Sequence, residues 1–347
     1  MNRRLKILWL LPLLPAVFAA SCATAPPPAS PAASSMIGWP PPPDQARIVY
    51  VGSLHGPADI GQSPSVFSSM ARWITGDTGQ SKNLHKPFAV ALDEQGNLCV
   101  ADTDDKLVCY LDFAHKKWQR YAGPGKIRFA SPVAVARHNG IFYVADSQLA
   151  QVIAFKDDGK ALFKIGAPLK RPVGLTVAND SLYIVDSQAH SVFVYDLNGK
   201  FLFSFGQRGT GPGEFNFPTG ITADTRHDRL IVADTMNFRV QIFDLHGKYL
   251  SQFGSNGDTS GHFARPKGVA VDSDGHIYVV DGVFDNFQIF DADGRLLLDV
   301  GEGGDGPGQF ALPNGIALGP DNRVYVADAF NHRVQIFKYL DQQGSQP

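Results

Sequence analysis

Pro218-Thr219-Gly220-Ile221-Thr222-Ala223-Asp224, followed after a short turn by Arg229-Leu230-Ile231-Val232-Ala233-Asp234, is a phrase that the chain states six times. Its counterparts run from Pro87 to Asp102, Pro132 to Asp146, Pro172 to Asp186, Pro266 to Asp281 and Pro313 to Asp328. In each, a proline, one variable residue and a small residue lead an apolar alternation, and a Val/Ile-rich segment then ends in Asp. Successive Asp positions stand 44, 40, 48, 47 and 47 residues apart. Self-similarity at that period marks an array of supersecondary units, none of which buries its apolar face alone.

Within a unit the apolar period is that of strands. In the fourth, residues 220–224, 229–233, 240–243 and 249–253 each alternate over a strand's length. Asp244-Leu245-His246-Gly247-Lys248 between the last two is a Gly-bearing hairpin turn, repeated at Asp196–Lys200 and Asp291–Arg295. Four short antiparallel strands repeated radially make a propeller blade. The sixth unit runs out after its third strand, Val334–Phe337, whereas Ala46–Gly52 has a strand pattern and no unit of its own. The expected fold is therefore all-β, a six-bladed β-propeller over residues 46–340, with 46–52 closing the last blade and leaving no free sheet edge to pair with other chains.

Gly206-x-x-Gly209-x-x-x-Gly213-x-Phe215-x-x-Pro218-x-Gly220 with Asp234-x-x-Asn237-x-Arg239-Val240-Gln241-Ile242-Phe243 resembles the NHL-repeat family, as does Gly301 to Gly315 with Asp328 to Phe337. The resemblance covers residues 46–338. It implies the propeller fold and leaves activity open, since such propellers include adaptor modules, RNA-binding modules and an amidating lyase. Asp102, Asp146 and Asp186 lack the downstream Asn and Arg. An Asp that recurs in every unit points to a structural duty, with the carboxylate accepting turn N–H groups and Arg239 or Arg333 pairing with a carboxylate across the blade.

The start of the chain reads as an export signal. Asn2-Arg3-Arg4-Leu5-Lys6 is a positive n-region, and Ile7–Ala20 is an apolar stretch too short to span a bilayer. Ala19-Ala20-Ser21-Cys22 resembles a bacterial lipobox, with Ala19 where Leu is usual; Ala23-Thr24-Ala25 offers an ordinary cleavage site instead. The expected organisation is a signal over 1–21, a lipid-anchor Cys22 with a Pro/Ala/Ser tether over 22–45, and a tail over 341–347. That places the protein on the bacterial outer membrane, facing the periplasm or the surface. Such a tether cannot bury enough apolar surface to fold. The net charge of −2 provides no basic field for nucleic acid. Cys99 and Cys109 fall on neighbouring strands of the first unit, where an oxidising compartment permits a disulfide; two separate buried thiols are the alternative.

Candidate site residues are those that differ among units. The residues after the six prolines, Phe88, Val133, Val173, Thr219, Lys267 and Asn314, are expected around one mouth of the channel. The turns after the Asp add Asp104, Asp105 and Lys106, then Gln148, Gln188 with His190, Met236 with Phe238, Phe284 with Asp285, and Phe330 with His332. From these, Phe88, Thr219, Lys267, Asn314, His190, Phe238, Phe284, Phe330 and His332 form the expected binding surface, with large apolar side chains where polar ones would serve a turn. The link over 53–84 is longer than its counterparts and carries a helix signature. Ser63 is the N-cap, Pro64 the first helical residue and Gly76 the stop, with Val66, Phe67, Met70, Trp73 and Ile74 on one face as plug, lid or docking helix.

Enzymatic readings find little support. The family resemblance implies, for an amidating lyase, histidines at channel positions, yet no post-proline residue is His, and the ten histidines show no metal-ligand spacing. A calcium-dependent lactonase ring would need several channel oxygens, and Asn314 is one. No cofactor is expected. The expected function is non-enzymatic: a monomeric, envelope-anchored propeller whose channel mouth binds a protein, peptide or glycan. The alternative is a hydrolase or lyase acting on a small molecule in the channel through Lys267, Asn314, His190 or His332.

Overall fold

The computed structural model describes residues 37–61 and 82–340. The signal segment, Cys22, the tether up to residue 36, the helix signature with Phe67, Met70, Trp73 and Ile74, and the tail over 341–347 lie outside the described residues. The rest is a six-bladed all-β propeller. Five blades follow one another in sequence, each with strands a to d from inside to outside: 87–121, 132–165, 172–205, 221–253 and 266–300. The sixth takes strands a to c from Pro313–Leu318, Arg323–Asp328 and Arg333–Tyr339, and strand d from Ile48–Leu54, which pairs antiparallel with Arg333–Tyr339.

The closing blade begins earlier than the composition of the tether suggested. Gly38–Trp39 adds a fifth strand beside Ile48–Leu54, and the Trp39 ring meets Phe337 edge-on at 5.7 Å. The ring packs on the core of the last two blades, and backbone bonds from Arg47 N to Trp39 O and from Tyr50 N to Ile37 O hold the segment beside the closing strand.

The small residue after each variable position is explained by the seams between blades. A Cβ added at Gly174 would run into the Thr219 carbonyl, one at Gly220 into the Lys267 carbonyl, and one at Gly268 into the Asn314 carbonyl. The series wraps around: a Cβ at Gly315 would stand 2.7 Å from Ala89 Cα of the first blade. Adjacent inner strands approach this closely only without a side chain between them. At the outer circumference the hairpin glycines Gly199, Gly247 and Gly294 take left-handed φ of 85°, 81° and 81°. Their bare faces receive Phe163, Phe205 and Phe253 of the preceding blade. The Asp-x-x-Gly turn is thus also a packing surface between blades.

Each repeated Asp is fully buried and ties its b–c turn to the loop that enters strand a. Asp186 accepts N–H bonds from Lys170 at 2.6 Å and Arg171 at 2.9 Å on that loop, and from Gln188 and Ala189 on the turn. In the fourth blade Asp234 accepts from Asn216 N at 2.7 Å, Asn237 Nδ2 at 2.8 Å, Arg239 Nε at 2.9 Å and Gln241 Nε2 at 3.0 Å. Arg239 goes on to donate to the carbonyls of Thr210, Gly211 and Glu214. Its carboxylate partner is therefore the Asp of its own blade, and the cation clamps the glycine-rich loop over the sheet. Asp328 and Arg333 repeat the arrangement.

The two cysteines are separate buried thiols. Cys99 stands opposite Tyr110, and Cys109 opposite Val100, so the pair is one residue out of register. Side chains alternate across a strand, so the two sulfurs enter different core clusters on opposite faces of the sheet. Burial raises both thiol pKa values.

Candidate functional site

All six post-proline side chains line one cavity of about 410 Å³ at a mouth of the channel. Its walls are predominantly apolar, with Phe88, Val133 and Val173 from strands a and Phe217 and Met236 from the loops above. Two further rings contribute. The residue before each motif proline supplies Arg171, Phe217 and Arg265, and the residue after each motif Asp supplies Ser147, Ser187 and Thr235.

Three cations and no carboxylate line this cavity. Lys267 is partly buried; its stem lies against Gly282, where the other blades carry Thr103, Ser147, Ser187, Thr235 and Ala329. The longest aliphatic stem of the inner ring thus stands where the second ring has no side chain at all. Lys267, Arg171 and Arg265 make no side-chain hydrogen bond or ion pair among the described residues. Burial, reinforced by Arg265 and Arg171, lowers the Lys267 pKa to about 8, with Asp281 acting in the opposite direction. Asp281 itself is held by the N–H groups of Ala264, Arg265, Val283 and Phe284. The hydroxyls nearby are engaged: Thr235 donates to the Pro266 carbonyl at 2.8 Å and shares a 2.7 Å bond with Thr219.

The opposite mouth has the contrary character. Arg137 bonds Asp93 at 2.6 Å and Asp157 at 2.8 Å, and His138 meets Glu94 at 2.7 Å. Charges at that end are already paired.

Of the nine candidate binding residues, Phe88, Thr219, Lys267 and Asn314 line the cavity, and His190, Phe238, Phe284, Phe330 and His332 do not. His190 is buried; its Nδ1 accepts the Phe217 N–H at 3.1 Å, and the two rings meet edge-on at 4.6 Å. Burial, and secondarily Arg208, lowers its pKa and keeps it a neutral acceptor. Phe238 and Phe284 are half-buried, the first against the core between the fourth and fifth blades. Phe330 is exposed on the outer rim with the Lys86 ammonium 5.0 Å above its ring, and the His332 ring nitrogen meets the His85 carbonyl. The first turn residues Ser147, Ser187 and Thr235, with Met236, reach the cavity, whereas the later turn residues lie beside the mouth as each turn curls back to be caught by its Asp.

The rim is apolar. Leu149, Phe217, Met236, Val283, Leu312 and Phe330 are all exposed on the turns and loops of this face. Phe217 and Leu312 also hold left-handed backbone, φ 49° each, which bulky residues seldom adopt. Each is fixed by a side chain of the preceding blade: Phe217 N by His190, and Leu312 N by Asp285 Oδ1 at 2.7 Å. Strain of about 1–3 kcal/mol per residue is thereby spent holding two large apolar side chains in solvent.

Comparisons with known proteins agree on architecture. A family model described as a 6-bladed beta-propeller matches residues 167–252, and the NHL repeat model matches 263–290 and 310–337. The chain thus carries NHL repeats on a six-bladed propeller. No curated protein matches it. Among solved structures, a streptogramin B lyase superposes with TM-score 0.56 at 13% identity, covering 74% of this chain and 94% of the other. A gluconolactonase from Xanthomonas campestris gives 0.56 at 16%, covering 74% and 89%. An auxiliary nutrient binding protein from Bacteroides thetaiotaomicron gives 0.58 at 14%, covering 75% and 71%. At these identities the likeness is one of fold.

Proposed function

We propose that this protein is a non-enzymatic binding propeller, exported and anchored to the envelope, whose channel-mouth face receives a protein or peptide partner. The observation that carries the reading is the apolar rim, Leu149, Phe217, Met236, Val283, Leu312 and Phe330, encircling a cavity of about 410 Å³. A cavity of that size falls in the range of small-molecule and side-chain pockets, roughly 300–1,000 Å³. Exposed apolar side chains gathered on one face mark contact surfaces. The test is affinity capture from native envelopes with the full chain and with Phe217→Ser/Phe330→Ser, using Phe201→Ser on an outer strand as control. A partner retained by wild type and control and lost by the rim variant supports the reading. A captured set indifferent to the rim substitutions refutes it.

The catalytic alternative is weakened at the residues it named. Two of its four groups, His190 and His332, bond backbone groups outside the cavity, which leaves Lys267 and Asn314. The lowered Lys267 pKa is the observation in its favour, since a shielded amine acts as base or nucleophile. Reductive trapping with an aldehyde, read by peptide mass at Lys267 against surface lysines, measures that reactivity; a rate no higher than at the surface removes this alternative.

A further inference from the structure

The cavity floor specifies its occupant more narrowly than the rim does. An ammonium, two guanidinium groups and no carboxylate line the same space, and none of the three makes an ion pair among the described residues; the buried Asp281 carboxylate, which acts on Lys267 from outside the cavity lining, is taken up by four backbone N–H groups. Arg171 and Arg265 are exposed, so Lys267 is the cation withdrawn from water, and such a charge costs free energy unless it is paired. At the opposite mouth the fold pairs its charges internally, through Arg137 with Asp93 and Asp157 and His138 with Glu94. Gly282 in the fifth blade keeps open the space beside the Lys267 stem that a side chain fills in the other blades.

We propose that Lys267, with Arg171 and Arg265 at the rim above it, forms a site for a carboxylate carried on an apolar body. Each part of the cavity bears on that assignment. The cations exclude a metal ion or an amine. The walls of Phe88, Val133, Val173, Phe217 and Met236 give an inorganic anion nothing to bind, but cover an alkyl chain or apolar side chains. Thr235 and Ser187 direct their hydroxyls to the carbonyls of Pro266 and Arg171. A phosphate dianion, polar on every side, would stand against these apolar walls, whereas a carboxylate confines its charge to one end of an apolar body. Guanidinium forks fit a carboxylate in two-point geometry. The apolar C-terminus of a peptide and a fatty acid share this chemistry.

The inference rests on the channel mouth being a binding face, and its test separates the two. Titration calorimetry on the full chain would compare octanoate with octanamide, and acetyl-Leu-Leu-Phe free acid with its amide. Each pair differs only in the charge of the headgroup. In at least one pair the acid is expected to bind roughly tenfold or more tighter than the amide, the scale of one charge-assisted contact. The pair that shows it identifies the source. Lys267→Met abolishes the acid preference, and Arg171→Gln and Arg265→Gln each reduce it. Acid and amide binding equally, with both weakened by Phe217→Ser, would overturn the carboxylate assignment and leave the binding face standing. An acid preference that survives in Lys267→Met overturns it as well. No binding by any of the four probes, together with captured partners indifferent to the rim, removes both.

Discussion

Replacing Lys267 with Met is expected to make the protein more stable at neutral pH while removing its charge from the cavity. The unfolded chain holds that lysine with an ordinary pKa of 10.5, and the folded chain with one of about 8, lowered by burial and then by Arg265 and Arg171. Below about 8 both states keep the proton, so the slope of stability with pH from this group is zero and folding carries the full cost of the shielded ammonium. Between about 8 and 10.5 the unfolded state binds the proton and the folded state does not, so wild-type stability rises with pH. At about 1.36 kcal/mol per unit the displacement corresponds to about 3 kcal/mol. Screening by solvent at the open mouth reduces that to about 2 kcal/mol. Met keeps the aliphatic stem against Gly282 and discards the charge. Urea unfolding at pH 7, 8.5 and 10 is the assay, with midpoints compared at constant m. The variant should lead by about 2 kcal/mol at pH 7, and the lead should shrink toward pH 10 as the wild-type lysine loses its proton on folding. No lead at pH 7, or one undiminished at pH 10, would show that the ammonium is not under strain.

Arg239→Ala leaves the fully buried Asp234 without its cation and frees the Thr210–Glu214 loop; a loss of about 3–5 kcal/mol in denaturant midpoint is expected. Gly220→Ala drives a Cβ into the Lys267 carbonyl at the seam between the fourth and fifth blades, costing about 1–3 kcal/mol, whereas Gly52→Ala, which meets nothing within 4 Å, should be near neutral in the same melt. Trp39→Ala removes the ring packed on Phe337 and should cost about 2 kcal/mol, with amide exchange rising first across Ile48–Leu54; unchanged exchange there would show that Gly38–Trp39 does not hold the closing strand. Cys99 and Cys109 should resist alkylation in the native state and react on unfolding, without any prior reduction step, as peptide mapping will show.

The fold was legible because it is written six times. Proline, small residue, alternation and terminal Asp recur at a repeat period, four strand-length segments per unit make each repeat a blade, and the surplus strand near residue 48 finds its place by counting. The inner ring was legible for the same reason, since strand a always enters at the post-proline residue. The remainder of the site was not, because its signal lies in positions that look like connective tissue. Arg171, Phe217 and Arg265 precede the prolines, and Ser147, Ser187, Thr235 and Gly282 follow the Asp residues; alignment of the six units exposes both rings once the inner one is known. His190, Phe238, Phe284, Phe330 and His332 stand outside the cavity lining, Phe330 on the exposed rim, because each Asp draws its turn down onto the neighbouring loop. The cysteines misled because strand adjacency is not register, and one residue of slip puts the sulfurs on opposite faces. Trp39 was hidden by the prolines around it.

A repeated unit supplies identical parts, so whatever is specific to this protein must reside where the parts differ, and the differences are unevenly distributed around the ring. The Asn–Arg clamp occurs in the fourth and sixth blades; the first three set Phe88, Val133 and Val173 on the cavity wall, while the fourth, fifth and sixth carry Thr219, Lys267 and Asn314. In the post-proline ring one arc is therefore apolar and the facing arc polar, while Arg171 precedes the Val173 strand and Phe217 the Thr219 strand. On the carboxylate assignment, Lys267, the one shielded cation of the three, would draw the headgroup of an amphipathic ligand toward the second arc. Reversal would leave the Lys267 ammonium unpaired, with the solvent-exposed Arg171 guanidinium to receive the carboxylate in its place. On that assignment the sixfold scaffold would give a directional site, and direction is what a face that recognises one end of a partner requires.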